Sequence, residues 1–158
     1  MKSCLENAEK PIILNVCAPG IRGTIHWEDL QYKQQKKYTS IKALMHGSRL
    51  NDLLGVAFAE HNVERKIKYI LYNPGAVQTT GATEAFEQPV MKFITGLLYK
   101  ITGKPVEEAI KPILALLENP PEALLSAFKQ EQEVNLTPET FDKANAQKLF
   151  ELTEALLN

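Results

Sequence analysis

Apolar residues occur along the chain in two arrangements, short continuous runs and longer helical stripes. The runs PIILNV (residues 11–16) and IKYILY (67–72) are rich in β-branched residues, and a Pro-Gly turn follows each. Such runs are typical of strands buried in parallel sheets. Between them, residues 41–61 carry a helical stripe. Its members are Leu50, Leu53, Leu54, Ala57 and Phe58. The order strand, helix, strand predicts a βαβ unit with a parallel sheet and a right-handed crossover.

Two more helical stripes follow this unit, one from Val90 to Ile101 and one from Val106 to Leu117. Pro112 falls inside the second stripe and is expected to kink or shorten that helix, because proline removes a backbone donor. The segment NPPE (119–122) is expected to end it.

The C-terminal part of the chain predicts one weaker strand region and one clear helix. Residues 124–136, LLSAFKQEQEVNL, favour a strand, with a hairpin as the alternative. The last helix is predicted to have Thr137 as its N-cap and Pro138 at its first position. Its apolar positions are Phe141, Ala144, Leu149, Phe150 and Leu152.

Composition and charge restrict the class of protein. The 158 residues are 44% hydrophobic and 23% charged, which is typical of one soluble globular domain. A formal net charge of −1 gives no general attraction to nucleic acid or anionic lipid. The first ten residues are polar, and no apolar run is long enough to cross a bilayer. We therefore predict a cytoplasmic protein with neither a nucleic-acid nor a membrane partner.

Cysteines and histidines provide little candidate chemistry. Cys4 and Cys17 form neither a disulfide scaffold nor a CxxC pair, and Cys17, in an apolar run, predicts a buried reduced thiol. The three histidines show no metal-ligand spacing, so no metal is predicted. His46 could act as an acid or base near neutral pH, but a helix-surface position is the expected one.

The segment YNPGAVQT resembles the P-G-x-V-x-T pattern of short-chain dehydrogenase/reductases at Pro74, Gly75, Val77 and Thr79. Two further segments, SRLNDLLGVAFAE and FDKANAQKLFELTEAL, resemble helices of the retinol-dehydrogenase-like branch. The resemblance extends over residues 11–157 and matches the C-terminal half of the family domain. It implies an α/β, partial Rossmann-like (doubly wound) three-layer fold with a short parallel sheet and flanking helices, as a single domain over residues 1–158.

The resemblance also implies a cofactor and a substrate class. In the family, the residues matching Pro74, Gly75, Val77 and Thr79 contact the nicotinamide end and pyrophosphate of NAD or NADP. The position is physically reasonable, because ligands bind beyond the carboxyl ends of parallel strands and glycine lets the backbone approach closely. The implied substrate is a small alcohol or carbonyl compound.

Two family motifs are absent from this sequence, the G-x-x-x-G-x-G turn that holds the pyrophosphate and the N-A-G turn. We therefore expect this chain to lack the half that binds adenosine and to be inactive by itself.

The family's catalytic Tyr and Lys, four residues apart, have three candidate positions here. Tyr38 and Lys42 have the right residue types and the right internal spacing. Counting back from Pro74 by the family's spacing instead reaches Leu44 and Ser48. Shifting that register by one residue gives Met45 and Arg49. Neither of the last two pairs contains a proton donor of the required kind.

The catalytic Ser of the family is most simply matched by Ala18, which has no hydroxyl group, and Cys17 beside it is a weak hydrogen-bond donor. Two functions from different classes therefore remain. One is an NAD(P)-dependent oxidoreductase acting on alcohols or carbonyls. The other is a non-catalytic protein, or a truncated remnant of the fold, that binds or forms homo-oligomers. In the family, helices matching residues 41–61 and 105–118 form subunit interfaces.

Overall fold

The computed structural model describes residues 5, 8–34, 39–62, 64, 66–78, 96, 103–137 and 139–157. Several sequence predictions fall on residues outside this set: the helix from Val90 to Ile101, of which residue 96 alone is described, the site residues Tyr38 and Thr79, and Pro138. The chain divides into two compact units. Unit 1 comprises residues 1–73 and 120–158, and unit 2 comprises residues 74–119. The prediction of a single domain over residues 1–158 stays a prediction.

Unit 1 contains a four-stranded sheet in the order β1-β2-β3-β4. The strands are β1 (Ile12–Val16), β2 (Lys68–Asn73), β3 (Leu125–Lys129) and β4 (Gln132–Glu133). β1 pairs with β2 and β2 with β3 in parallel, whereas β4 returns antiparallel to β3. This confirms both predicted apolar strands and, at residues 125–133, the hairpin alternative.

Helix α1 (Ser40–His61) connects β1 to β2, as the βαβ pattern predicted. The side of α1 that faces the core packs against the sheet. The buried cluster consists of Leu53, Val56 and Ala57 from the helix and Tyr69, Leu71 and Ala127 from the sheet. Gly55 lets the helix approach the sheet closely, because a Cβ there would lie 3.0 Å from Leu125 Cδ1. Leu54, predicted to belong to the buried stripe, is 43% exposed, so that part of the prediction was wrong.

The last helix, α4 (Lys143–Leu157), begins later than the sequence predicted. Asp142 caps it, since Asp142 Oδ1 accepts a hydrogen bond from the N–H of Asn145 at 2.7 Å. The buried residues Phe141 and Ala146 flank this cap on either side, in the positions of a hydrophobic staple. Thr137 instead accepts the N–H of Phe141 in a separate turn. The predicted Thr137 cap was therefore wrong, and Pro138 lies outside the described residues.

Unit 2 contains helices α2 (Val106–Ala109) and α3 (Lys111–Glu118). The predicted helix is thus interrupted at Ile110, with Pro112 in the first turn of α3. Its end at Glu118 agrees with the expected stop at NPPE. Taken together, the described residues form an α/β structure with a mostly parallel open sheet and flanking helices, compatible with a Rossmann-like fold.

Candidate functional site

The carboxyl ends of β1, β2 and β3 lie at one edge of the sheet, because the three strands run in parallel. In open α/β sheets this is the edge where ligands bind. Here β1 continues to Cys17, whose N–H donates to the carbonyl of Tyr72 at 2.8 Å. The chain then turns at Gly20, which has a φ of +75°. A Cβ at Gly20 would also lie 3.0 Å from Val134 Cγ1, so this turn requires glycine.

A buried carboxylate of α1 supports this turn. Asp52 has a side chain with no exposed surface, and its Oδ2 accepts a hydrogen bond from the N–H of Gly20 at 3.1 Å. Arg49, almost one helical turn earlier, places Nη1 3.5 Å from the same oxygen. Within the described part of the chain, Asp52 Oδ1 has no hydrogen-bond partner. The carboxylate is therefore only partly satisfied, which is costly for a buried charge.

Arg49 connects helix α1 and Asp52 to the turn that precedes α4. Its guanidinium donates to the backbone carbonyls of Thr140 and, at 3.0 Å, Glu139, in the turn that precedes α4. The side chain is 6% exposed. Three segments therefore meet at Arg49 and Asp52: the loop after β1, helix α1 and the turn before α4.

Burial dominates the protonation behaviour of this cluster. Removal from water raises the pKa of Asp52 to about 7, although the Gly20 N–H and the Arg49 charge act in the opposite direction. Burial, and then the charge of Asp52, raise the pKa of Cys17 to about 11. Cys17 is a free thiol, as predicted, but it is half-buried and not fully buried. With this raised pKa it is protonated at neutral pH. A protonated thiol is a poor nucleophile.

A second polar cluster lies on the helix-facing side of β1. The amide group of Asn15 donates to Asn51 Oδ1 at 2.9 Å and to the hydroxyl of Tyr69 at 3.3 Å. Asn51 in turn donates to the carbonyl of Gly47 within the helix. Burial raises the pKa of the Tyr69 hydroxyl above its ordinary value. Because Tyr69 is only 6% exposed, this phenol has little access for a substrate.

His46 is buried, 3% exposed, so its expected place on the helix surface was wrong. Its Nδ1 accepts the backbone N–H of His26 at 3.3 Å, and its Nε2 lies 3.2 Å from the carbonyl of Leu30. With Nδ1 as the acceptor, Nε2 is the nitrogen that donates to the Leu30 carbonyl. His46 therefore holds the loop over residues 26–30 against α1, and both ring nitrogens are already engaged.

An open cleft of about 330 Å³ lies between residues 27–34 and the end of α4, where Leu152 and Leu156 line it. The carboxylate of Asp29 faces this region but accepts the backbone N–H groups of Lys33 at 2.7 Å and Gln34 at 2.8 Å. That carboxylate therefore closes its own turn, and the cleft gains no catalytic acid from it.

The structure describes two of the three candidate catalytic pairs in full and one residue of the third. Lys42 is an exposed residue of α1, and its predicted partner Tyr38 lies outside the described residues. Leu44 is 61% exposed, and the hydroxyl of Ser48 donates back to the carbonyl of Leu44 at 2.8 Å. Neither Leu44 nor Ser48 can transfer a proton to a substrate in this arrangement.

Met45 and Arg49 lie on the face of α1 that meets the loop after β1. A Cβ at Gly23 would lie 3.0 Å from the Met45 Cβ, and Arg49 approaches Asp52, which holds Gly20. The shifted register therefore places its pair close to the loop that follows β1. However, the Arg49 guanidinium is already bonded to two backbone carbonyls and paired with Asp52. Met45 has no ionisable proton, so this pair cannot transfer a proton to a substrate either.

The predicted cofactor residues lie in unit 2, apart from Thr79, which is outside the described residues. Gly75 has a φ of +77°, a backbone conformation that favours glycine. Val77 forms a parallel bridge with Lys104. The N–H of Lys104 donates to the carbonyl of Ala76, and the N–H of Gln78 donates to the carbonyl of Lys104, both at 2.9 Å. Pro74, Gly75 and Val77 thus form an ordered turn. Their role in binding a cofactor stays a prediction.

Comparison with known proteins does not identify a family: a scan against family models finds no match, and a search of curated proteins finds none at a significant level.

Within the described residues, no group of three or more His, Cys, Asp or Glu side chains could hold a metal ion. In the same part of the chain, no helix is both long and apolar enough to cross a membrane.

Proposed function

We propose that this chain is a short-chain dehydrogenase/reductase-like protein, with the three-layer, doubly wound fold of that family, that binds the nicotinamide end of NAD or NADP. The observation that supports this proposal most is local. A parallel β1-α1-β2 unit is followed directly by Pro74 and Gly75, and Gly75 has the positive φ that such a turn requires. The family has the same order of elements along the chain. This order is a structural observation, and it supports the proposal separately from the resemblance of the YNPGAVQT segment.

Pro74, Gly75, Val77 and Thr79 would hold the cofactor in this proposal. A bound nicotinamide cofactor would supply hydride transfer to or from an alcohol or carbonyl carbon. The backbone of the Gly75 turn fits a close approach, because no Cβ projects from it. The adenosine end has no matching G-x-x-x-G-x-G segment in this sequence.

Calorimetry with two reduced ligands tests this function. We expect reduced nicotinamide mononucleotide and NADPH to bind with similar, millimolar affinity, because only their shared nicotinamide end is recognised. Gly75→Val should weaken both, whereas Gly47→Ala, a change in the middle of α1 with no neighbour within 4 Å of the new methyl group, should weaken neither. Absence of binding by both ligands at millimolar concentration would overturn the nicotinamide site. Much tighter binding of NADPH than of reduced nicotinamide mononucleotide would show that the chain also recognises the adenosine end, which would contradict the proposal that it binds the nicotinamide end alone.

A non-catalytic role is the second candidate, and the occupants of the matched catalytic positions favour it. Ala18 has no hydroxyl, Ser48 is bonded within its own helix, and Arg49 is enclosed. Tyr38 and Lys42 are then the remaining source of proton transfer. Turnover of an alcohol or aldehyde panel with NADP(H) that is lost in Tyr38→Phe but kept in Tyr99→Phe would favour the enzyme. Absence of turnover despite nicotinamide binding would favour the non-catalytic role.

A further inference from the structure

β1 is the terminal strand of the sheet, and its outer edge carries backbone groups with no partner strand among the described residues. The pairing with β2 shows which groups these are. The carbonyl of Pro11 accepts from Lys68, and the N–H of Cys17 donates to Tyr72. In a parallel ladder, successive residues point their backbone groups to opposite sides. The odd-numbered residues therefore face β2, and Ile12, Leu14 and Val16 direct their N–H and C=O groups outward.

This edge has few of the features that usually prevent edge-to-edge pairing. Residues 11–17 contain no charged side chain, and proline occurs only at position 11, where the strand starts. Val16 is 57% exposed, although it belongs to an apolar strand of a parallel sheet. An apolar, uncharged edge with unpaired donors and acceptors is a template for another strand.

The positions of the outward groups suit an identical strand. If two copies of β1 meet antiparallel about a two-fold axis through Leu14, then Leu14 faces its own counterpart and Ile12 faces Val16 of the other copy. Residues facing each other in this way exchange both N–H···O=C bonds. All outward groups of Ile12, Leu14 and Val16 are then satisfied in both copies. The facing side chains are aliphatic, a favourable cross-strand combination.

We propose that this chain forms a homodimer in which the β1 strands of two copies pair antiparallel, joining their sheets into one continuous sheet. The two-fold symmetry closes the assembly, because each copy has one such edge in the described structure and uses it completely. This interface differs from the helix faces implied by the family resemblance, and it does not depend on nicotinamide binding.

Sedimentation velocity over a concentration series tests the dimer. We expect the wild-type chain to sediment as a dimer that dissociates on dilution, and Val16→Lys to sediment as a monomer, because a charge would enter the apolar pairing. Leu157→Lys is the matched control, since Leu157 is another exposed aliphatic residue, 78% exposed, at the end of α4. It should remain dimeric. Both variants should keep the wild-type circular dichroism spectrum, because neither side chain is buried.

Amide hydrogen exchange provides a second measurement that does not depend on a variant. The N–H groups of Leu14 and Val16 should exchange more slowly as protein concentration rises, whereas exposed amides of α3 should not change. A wild-type monomer at high micromolar concentration would overturn the proposal. So would a dimer unaffected by Val16→Lys, or growth to large assemblies, which would indicate pairing that does not close.

Discussion

Asp52 is the residue at which a single substitution tests the electrostatics of this fold most directly. Its side chain is fully buried, it receives the N–H of Gly20, and it lies 3.5 Å from Arg49. Asp52→Asn keeps the shape and an oxygen acceptor for Gly20 but cannot ionise. The variant therefore separates the effect of the charge from that of the packing.

The expected magnitude follows from the pKa. Burial raises the pKa of Asp52 from the ordinary 3.8 to about 7, so the folded protein binds this proton more tightly than the unfolded chain does. The contribution to stability is fully present below about pH 4 and is lost as the pH rises towards 7. At about 1.4 kcal/mol for each pH unit, the total loss is about 4 kcal/mol. About 2.5 kcal/mol of it falls between pH 5 and pH 8.

Thermal unfolding of both proteins from pH 5 to pH 8 provides the assay. The melting temperature of the wild type should fall relative to that of Asp52→Asn by about 5–10 °C over this range, since a chain of this size loses about 2–4 °C per kcal/mol. Glu122→Gln, which removes an exposed carboxylate, corrects for the loss of one negative charge. Parallel profiles of wild type and Asp52→Asn would refute the reasoning. They would mean that Arg49 and Gly20 keep Asp52 ionised throughout.

Two further predictions concern the same cluster. At pH 8, where Asp52 is ionised, Arg49→Met should destabilise the fold by about 3 kcal/mol or more, because it leaves the Asp52 charge and two backbone carbonyls without their donor. In denaturant unfolding, adding Asp52→Leu should recover part of this loss, and a double variant less stable than the single one would contradict the pairing. Gly20→Ala should destabilise by about 1–2 kcal/mol, since φ is +75° and Val134 is 3.0 Å away. Gly47→Ala should instead stabilise the fold by up to about 1 kcal/mol, because alanine is the better helix former and no neighbouring atom lies within 4 Å of the new methyl group. A change in the free energy of unfolding in the same direction for both variants would contradict the reasoning from the turn geometry of Gly20.

Regular apolar patterns were sufficient to predict most of the described secondary structure. The two β-branched runs became β1 and β2, and the stripe between them became α1, because each pattern matches the period of one backbone conformation. The start of α4 was less predictable. Thr137-Pro138 and Asp142 are both chemically suitable helix starts, and burial of Phe141 beside the Asp142 cap is a tertiary contact that a local pattern does not contain.

The buried polar residues of α1 were the main features that the sequence concealed. His46, Arg49 and Asp52 recur every third residue, on a helix whose apolar stripe suggests a purely hydrophobic core face. Opposite charges three residues apart usually indicate a solvated helix surface. The loop after β1 and the turn before α4 bring partners to these side chains, and those partners lie far away in sequence. Asp52 was not identified from the sequence as part of a buried polar cluster. The only sequence feature that could have indicated it was an opposite charge, Arg49, three residues earlier.

The enclosure of Arg49 also limits what this residue can do in the proposed function. In a short-chain dehydrogenase/reductase, the catalytic lysine must reach a bound ribose and influence a neighbouring tyrosine. Arg49 instead bonds to Glu139 and Thr140 and pairs with Asp52, so moving it to a ligand would leave a buried carboxylate uncompensated. A cation at this position therefore stabilises the fold of this chain. Lys42 is exposed and makes none of these contacts, so in the proposed function it stays the candidate catalytic cation.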